Sequence, residues 1–182
     1  MFTEEDRRYL LEIAHRSLIE AAAGRRYQPE GPHPDHLMAP AAAFVTLWKR
    51  DGALRGCIGQ VEAVMPLISS IARMAYAASQ EDPRFPPVPP AEVPELRVDI
   101  SVLTPPEPLD PEAVEVGTHG LIVEQGLRRG LLLPQVASEH GWDSETFLDH
   151  TCLKAGLPRG AWRDPSTRIL GFTAEVFGDD EH

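Results

Sequence analysis

The sequence predicts a domain of the α+β class, in which helices accompany strands joined by hairpins and bends. Three observations lead to this prediction. An amphipathic segment opens the chain, Asp51-Gly52 is a turn signal between two strand-like segments, and residues 96–103 alternate apolar and polar side chains. The chain has 182 residues, enough for one ordinary domain or for one domain with a smaller lobe.

The first half of the chain is predicted to hold two helices and a β-hairpin. Residues 3–23 form an amphipathic helix, because Thr3 is a suitable N-cap, Asp6 completes a variant of the capping box, and Gly24 is a helix stop. The next predicted elements, in chain order, are strands over 43–48 and 53–58 and a helix from Pro66 to about Gln80.

Two proline-rich segments separate the later elements of the chain. Residues 81–94 and 105–111 are too rich in proline for a helix or a central strand, so we expect stiff spacers there. The remaining predicted elements are a strand over 96–103, a hairpin of strands 120–124 and 130–133, helices over 134–140 and 143–155, and a final strand over 168–177.

Composition excludes several classes of protein. The formal net charge of −11 disfavours coating of nucleic acid, so we expect no non-specific binding to duplex DNA. The apolar runs are far shorter than the ~18 residues of a membrane span, and the acidic start, Met1-Phe2-Thr3-Glu4-Glu5, does not resemble a secretory signal. We therefore expect no membrane association and a cytoplasmic protein. Two cysteines are too few for a disulfide framework.

The densest candidate for chemistry is the segment Leu54-Arg55-Gly56-Cys57-Ile58-Gly59. On a regular strand Arg55 and Cys57 share a face, and a guanidinium beside a thiol favours the reactive thiolate. Gly56 and Gly59 lack side chains, so a ligand or another stretch of backbone can approach closely. The structural alternative is a small cysteine buried in the core.

Two further segments offer polar groups for the same cleft. Arg84 could bind an anion and Phe85 could stack on a planar ligand; alternatively an Asp82–Arg84 contact anchors the loop and Phe85 packs into the core. Asp99 and Ser101 share one strand face, which either lines the cleft, with Asp99 orienting Arg55 or acting as a base, or faces solvent. We expect the following residues to converge on one cleft: Arg55, Cys57, Asp82, Arg84 and Asp99.

The histidines and the second cysteine give a weaker signal. His140 could serve as a general base for Cys57 if the fold brings the two together. His150 and Cys152 are two positions apart on a predicted helix and point in different directions, which argues against a metal site. We predict no metal and no cofactor.

Five ordered motifs resemble one known family. They are Leu54-Arg55-Gly56-Cys57-Ile58-Gly59, Glu81-Asp82-Pro83-Arg84-Phe85-Pro86-Pro87, Val98-Asp99-Ile100-Ser101-Val102-Leu103, Gly120-Leu121-Ile122-Val123, and Gly130-Leu131-Leu132-Leu133-Pro134-Gln135-Val136-Ala137, followed by Gly141-Trp142-Asp143. With these motifs the chain resembles the AMMECR-one domain family over essentially its whole length, so we expect residues 1–182 to form a single domain of that type.

The resemblance implies a mixed sheet with flanking helices, arranged as a larger α/β lobe and a smaller strand-rich lobe with a cleft between them. It also implies a role for the Arg-Gly-Cys segment. Nucleic-acid base modification, with Memo-like and radical-SAM proteins as partners, is the activity proposed for the family by analogy.

Two functional hypotheses follow. In the first, the protein is a cysteine-dependent enzyme acting on a small-molecule or nucleotide-bearing substrate, with Cys57 as nucleophile, Arg55 and Asp99 assisting it, and the other candidates binding substrate. In the second, it is a non-catalytic binding or adaptor module, and the Arg-Gly-Cys segment only contributes to packing.

Overall fold

The computed structural model describes residues 1–179, so the last three residues of the predicted domain lie outside the described part of the chain. Within it are four helices and eight strands. In chain order they are α1 Glu4–Ala22, β1 Ala43–Lys49, β2 Leu54–Gly59, α2 Leu67–Gln80, β3 Leu96–Leu103, β4 Glu107–Pro108, β5 Gly120–Gln125, β6 Arg128–Leu132, α3 Pro134–His140, α4 Ser144–Lys154, β7 Arg168–Phe172 and β8 Ala174–Gly178. Short 3-10 turns occupy Asp35–Met38, Val93–Glu95, Pro111–Ala113 and Ala161–Arg163.

The chain divides into two compact units. The larger comprises Met1–Leu103 together with the chain from Glu175, and the smaller comprises Thr104–Ala174. The predicted α+β class, with a larger α/β part and a smaller strand-rich part, is therefore confirmed. The strands form two antiparallel four-stranded sheets, where the sequence analysis expected one mixed sheet.

Helix α1 begins as the sequence predicts. The Thr3 hydroxyl accepts a hydrogen bond from the Asp6 backbone N–H, and the Asp6 carboxylate accepts one from the Thr3 backbone N–H, which together form a capping box. The hydrogen bonds that the Thr3 hydroxyl and the Thr3 backbone N–H donate to the Asp6 carboxylate lower the pKa of that carboxyl. The helix ends before Gly24, which adopts a positive φ of 77°.

The first sheet has the strand order β2-β1-β3-β8, and α1 and α2 pack against it. Val45 and Leu47 of β1 and Val98 and Ile100 of β3 are completely buried on the helix side. Each such side chain contributes roughly 1.5–3 kcal/mol relative to an exposed position. The alternate residues of both strands are half-buried on the opposite face, so strand alternation produces one apolar face and one face of mixed polar and aromatic residues.

The second sheet has the strand order β4-β7-β5-β6 and belongs to the smaller unit. Its central strand β5 is buried over its first four residues, and Phe147 of α4 is completely buried in the same core. Cys152 of α4 is also completely buried there, and burial raises the pKa of its thiol. Cys152 is therefore a core residue of the smaller unit.

The final predicted strand, 168–177, is two strands. It breaks at Thr173: β7 pairs with β5 of the second sheet, and β8 lies beside β3 of the first. Thr173 bonds instead to Thr104, since the Thr104 N–H donates to the Thr173 carbonyl at 2.9 Å and the Thr173 N–H donates to the Thr104 Oγ1 at 2.8 Å. The two ends of the smaller unit are thus held side by side.

No helix in the described residues combines the length and the apolar character that crossing a bilayer demands. Over the same residues, no three His, Cys, Asp or Glu side chains are grouped closely enough to hold a metal ion.

Candidate functional site

Cys57 lies on β2, the edge strand of the first sheet, and its side chain is partly exposed. It stands directly opposite Thr46 of β1 in the antiparallel register. The Thr46 hydroxyl donates a hydrogen bond to the Cys57 Sγ at 3.2 Å. A hydroxyl donor aimed at sulfur stabilises a thiolate, because the negative charge strengthens the hydrogen bond. The alternative of a fully buried core cysteine does not describe this residue.

The backbone of Cys57 is held from the outer side by the segment that follows α2. The Cys57 N–H donates to the Asp82 Oδ2 at 2.9 Å, and the Arg84 Nη2 donates to the Cys57 carbonyl at 3.3 Å. An edge strand exposes a row of unpaired backbone groups, and here a carboxylate and a guanidinium satisfy them. Asp82 and Arg84 therefore position the edge of the sheet on which Cys57 stands.

Asp82 and Arg84 also bind each other, as the loop-anchoring alternative expected. The Arg84 Nε and backbone N–H each donate to the Asp82 Oδ1 at 3.0 Å, and the Arg84 Nη2 donates to the Asp82 Oδ2 at 2.8 Å. The Arg84 hydrogen bond, with those from the Cys57 and Arg84 backbone, holds the pKa of the buried Asp82 carboxyl far below its usual range. Asp82 is therefore an anchor and a very weak base.

Arg84 places a positive charge at Cys57. The hydrogen bond to Asp82, with the nearby Asp82 and Cys57 groups, raises the pKa of its guanidinium. The Arg84 side chain is 55% exposed, so it can meet a ligand from solvent. Its Cζ lies 5.5 Å from the centroid of the half-buried Phe85 ring, which completes a cationic and aromatic surface.

The glycines of the cysteine motif make room for other parts of the protein. A Cβ on Gly56 would lie 2.1 Å from the carbonyl oxygen of Ala78, so the α2 backbone occupies that space. A Cβ on Gly59 would lie 2.1 Å from the Phe44 ring. Both glycines thus allow a close approach, and the groups that approach are a helix and an aromatic ring.

Arg55 departs from its expected place beside the thiol. The β1–β2 register pairs Leu47 with Gly56 but Trp48 with Leu54, so Arg55 is the extra residue of a β-bulge. Its Nε and Nη2 donate to the Glu92 carboxylate at 2.6 and 3.1 Å. The expectation that Asp99 orients Arg55 is wrong, because Glu92 supplies the carboxylate. The guanidinium that contacts Cys57 is that of Arg84.

Asp99 and Ser101 lie on the same sheet face as Cys57. Thr46 pairs with Cys57 on one side and with Asp99 on the other, so these three residues form one row across the sheet. The Asp99 Oδ2 accepts a hydrogen bond from the Trp48 Nε1 at 2.7 Å. Ser101 lies one row further along, opposite Phe44. The structure therefore brings Asp99 to the Cys57 face but two strands away from it.

His140 lies in the smaller unit, at the end of α3. Its Nδ1 lies 2.9 Å from the Val136 carbonyl, to which it can donate, and its ring stacks on Trp142 with 4.7 Å between centroids. Trp142 stacks in turn on His150 at 3.9 Å. The general-base role of His140, like the cleft between the lobes, stays a prediction.

Sequence reasoning missed Thr46 and Glu92. Thr46 could have been found by writing out the hairpin register from the Asp51-Gly52 turn, which places a β1 residue opposite Cys57. Glu92 has no local signal in a proline-rich segment. The one available clue was that a buried arginine needs a carboxylate partner.

Comparison with known proteins now identifies the family. The family model for AMMECR1 matches residues 11–177. The chain belongs to the AMMECR1 family. It is 46% identical to a protein of Methanothermobacter thermautotrophicus, over 98% of this chain and 96% of the relative, and 45% identical to a protein of Thermococcus gammatolerans, over 94% and 89%.

A solved structure of an AMMECR1 relative supports the fold. The crystal structure of the uncharacterized protein PH0010 from Pyrococcus horikoshii superposes with a TM-score of 0.82 at 41% identity, and the match covers 98% of this chain and 94% of that one. AMMECR1 membership thus confirms the resemblance, and the solved relative confirms the fold.

Proposed function

We propose that this AMMECR1-family protein is a cysteine-dependent enzyme acting on an anionic small molecule, with Cys57 as the nucleophile. One observation carries the proposal: a partly exposed sulfur accepts a hydrogen bond from the Thr46 hydroxyl while the exposed Arg84 guanidinium is bound at the same residue. A reactive thiolate needs an accessible sulfur with a hydrogen-bond donor and a cation nearby, and here the Asp82 carboxylate that binds Arg84 offsets part of the charge of that cation.

The chemistry is nucleophilic displacement at carbon. The thiol proton leaves to solvent, the Cys57 thiolate forms a bond to an electrophilic carbonyl carbon, and the leaving group departs with its electron pair, which leaves a thioester. Water then releases the product and restores the thiol. Arg84 holds an anionic part of the substrate, while Asp82 keeps Arg84 in place and takes no proton, because its carboxyl is held in the ionised form. A nucleotide-bearing substrate and the Memo-like and radical-SAM partners stay predictions.

The adaptor alternative is favoured by a different observation. Gly56, Gly59, Asp82 and Arg84 all make contacts that also stabilise the fold. If these four residues only stabilise the fold, the Cys57 thiol is no more reactive than the thiol of a free cysteine.

Alkylation with two matched reagents separates the two functions. In a Cys152→Ala background, the rate with iodoacetate divided by the rate with neutral iodoacetamide is compared with the same ratio for glutathione. We expect a ratio about fivefold above glutathione, as an attractive charge worth ~1 kcal/mol would give. Arg84→Gln should abolish the excess and Arg84→Lys should retain it.

A second arm tests the sulfur environment. Thr46→Val removes the hydroxyl at nearly constant shape and should slow both reagents, whereas Thr46→Ser should react like the parent. A folded parent that resists both reagents, or one whose ratio equals that of glutathione, would favour the adaptor.

A further inference from the structure

The larger unit contains a pocket that shares no residue with the Cys57 surface, formed by the loop after α1 and by one face of α2. Its volume is about 380 Å³. The loop after α1 supplies Arg26, Tyr27, Gln28 and Pro29, and the segment just before α2 adds Met65. Ser69, Ala72, Arg73 and Tyr76, also in the lining, recur at the spacing of one helical face.

The pocket is positively charged in an acidic protein. The described residues that line it include two arginines and no carboxylate, although the formal net charge of the whole chain is −11. Arg73 is exposed, and its guanidinium has no hydrogen-bond or ion-pair partner among residues 1–179. A third guanidinium, that of Arg16, lies over the Tyr27 ring at 5.1 Å. The pocket therefore presents cationic groups that an anion can bind.

The same pocket has aromatic walls. The Arg26 Cζ lies 4.5 Å from the centroid of the Tyr76 ring, and its Nη2 forms an exposed pair with Glu81 at 3.2 Å. Tyr27 and Tyr76 are both half-buried, so part of each ring is open to a ligand. A guanidinium stacked on a ring offers a flat cationic surface, which suits a planar group better than a flexible chain.

The neutral polar groups are free to set specificity. Within the described residues, the Ser69 hydroxyl and the Gln28 amide make no side-chain hydrogen bonds. Burying such groups beneath a ligand is costly unless the ligand satisfies them. A volume near the lower end of the ~300–1,000 Å³ common to ligand pockets suits a single ring system with one acidic group.

We propose that this pocket is a binding site for a small molecule that combines an aromatic or heteroaromatic ring with a phosphate or a carboxylate. The ring lies against the Arg26 guanidinium that is stacked on Tyr76, and Arg73 binds the acidic group. The site shares no residue with the Cys57 surface, so the test of this site is independent of the test of the proposed enzyme.

The test is an NMR titration of the full ¹⁵N-labelled chain with two probes of the proposed class and two fragments. AMP carries a ring and a phosphate, and indole-3-acetate carries a ring and a carboxylate; the fragments are adenosine and inorganic phosphate. We expect at least one probe to shift backbone signals of residues 26–29 and 65–76 at millimolar concentration or below, and each fragment to bind at least ~10-fold more weakly. The probe that binds more tightly tells phosphate from carboxylate.

Variants keep the proposal falsifiable. Arg73→Gln should weaken the bound probe about tenfold, and Arg73→Lys should weaken it less. Arg159→Gln, which removes the same charge from another exposed position, should change nothing. The proposal is overturned if neither probe binds, if phosphate alone binds as well as AMP, if the shifts map to β2, or if Arg73→Gln and Arg159→Gln behave alike.

Discussion

The guanidinium of Arg55 and the carboxylate of Glu92 form a bidentate ion pair, although the two residues are 37 positions apart in the sequence. The Arg55 side chain is only 6% exposed, and its Nη1 is buried with no hydrogen-bond partner among the described residues. The pair joins the bulge of β2 to the far end of the proline-rich segment, while Asp82 joins Cys57 to its near end. The segment is therefore fastened to β2 at both ends.

We predict that Glu92→Leu costs about 3–5 kcal/mol of unfolding free energy, because it leaves a buried guanidinium without its counter-charge. Arg55→Met combined with Glu92→Leu should recover most of that loss. Urea denaturation of both single variants and the double variant measures the coupling. Glu95→Leu breaks the exposed Arg50–Glu95 pair as a control and should cost under ~1 kcal/mol. Equal losses for Glu92→Leu and Glu95→Leu would contradict the prediction.

Asp82→Asn should destabilise the protein by about 2 kcal/mol at neutral pH, because it removes the charged acceptor of Arg84 and of the Cys57 N–H. The pKa of Asp82 is lower in the folded state than in the unfolded state. Its contribution is therefore present above the unfolded value near 3.9 and is lost as the pH falls below it.

The difference in unfolding free energy between the parent and Asp82→Asn should thus shrink by about 1 kcal/mol between pH 7 and pH 3. Denaturant titrations at the two pH values measure it. Asp51→Asn, at the hairpin turn, controls for removing one carboxylate from the chain. A difference that stays constant or widens toward pH 3 would show that Asp82 does not act through its charge.

Gly56→Ala should be among the most damaging single-methyl substitutions in the protein. The added Cβ would stand 2.1 Å from the Ala78 carbonyl oxygen, and a helix backbone cannot move aside as a side chain can. We expect a loss of at least ~3 kcal/mol, or failure to fold. Gly52→Ala is the control: its site is open but has a φ of 84°, so it measures backbone strain alone, about 1 kcal/mol. Comparable melting temperatures for the two variants would refute the packing argument.

A chain with a formal net charge of −11 should bind duplex DNA weakly. A mobility-shift assay with random-sequence duplex in ~150 mM salt should show no complex at micromolar protein. A sequence-independent shift at micromolar protein would mean that the local arrangement of positive charges decides DNA binding more than the net charge of the chain does.

Most of the fold prediction depends on patterns among residues that are close together in the sequence. The capping box of Thr3 and Asp6 and the alternation over 96–103 depend on neighbours within a few residues, and both are present as predicted. The break at Thr173 could not be read in the same way, because apolar and β-forming residues continue on both sides of it. The segment is divided because its first half pairs in the second sheet and its second half lies in the first sheet. These long-range pairings leave no mark in the local sequence.

The candidate site shows the same division. Cys57, Asp82 and Arg84 meet because a hairpin and a helix bring them together over short loops. Arg55 was misplaced because a bulge adds one residue to the strand, and nothing in Leu54-Arg55-Gly56 marks the added residue. A single extra residue changes which carboxylate a side chain meets, so strand alternation alone could not find Glu92.

The paired ends of the smaller unit have a consequence for synthesis on the ribosome. Val98 of β3 bonds to Asp179, which follows β8 and is translated 81 residues later. Because translation adds roughly 5–20 residues per second, the backbone edge of β3 stays unpaired for several seconds until β8 has been synthesised. The smaller unit, closed on itself at Thr104 and Thr173, is translated completely within that interval. The last strand of the first sheet is therefore translated only after the whole of the inserted smaller unit.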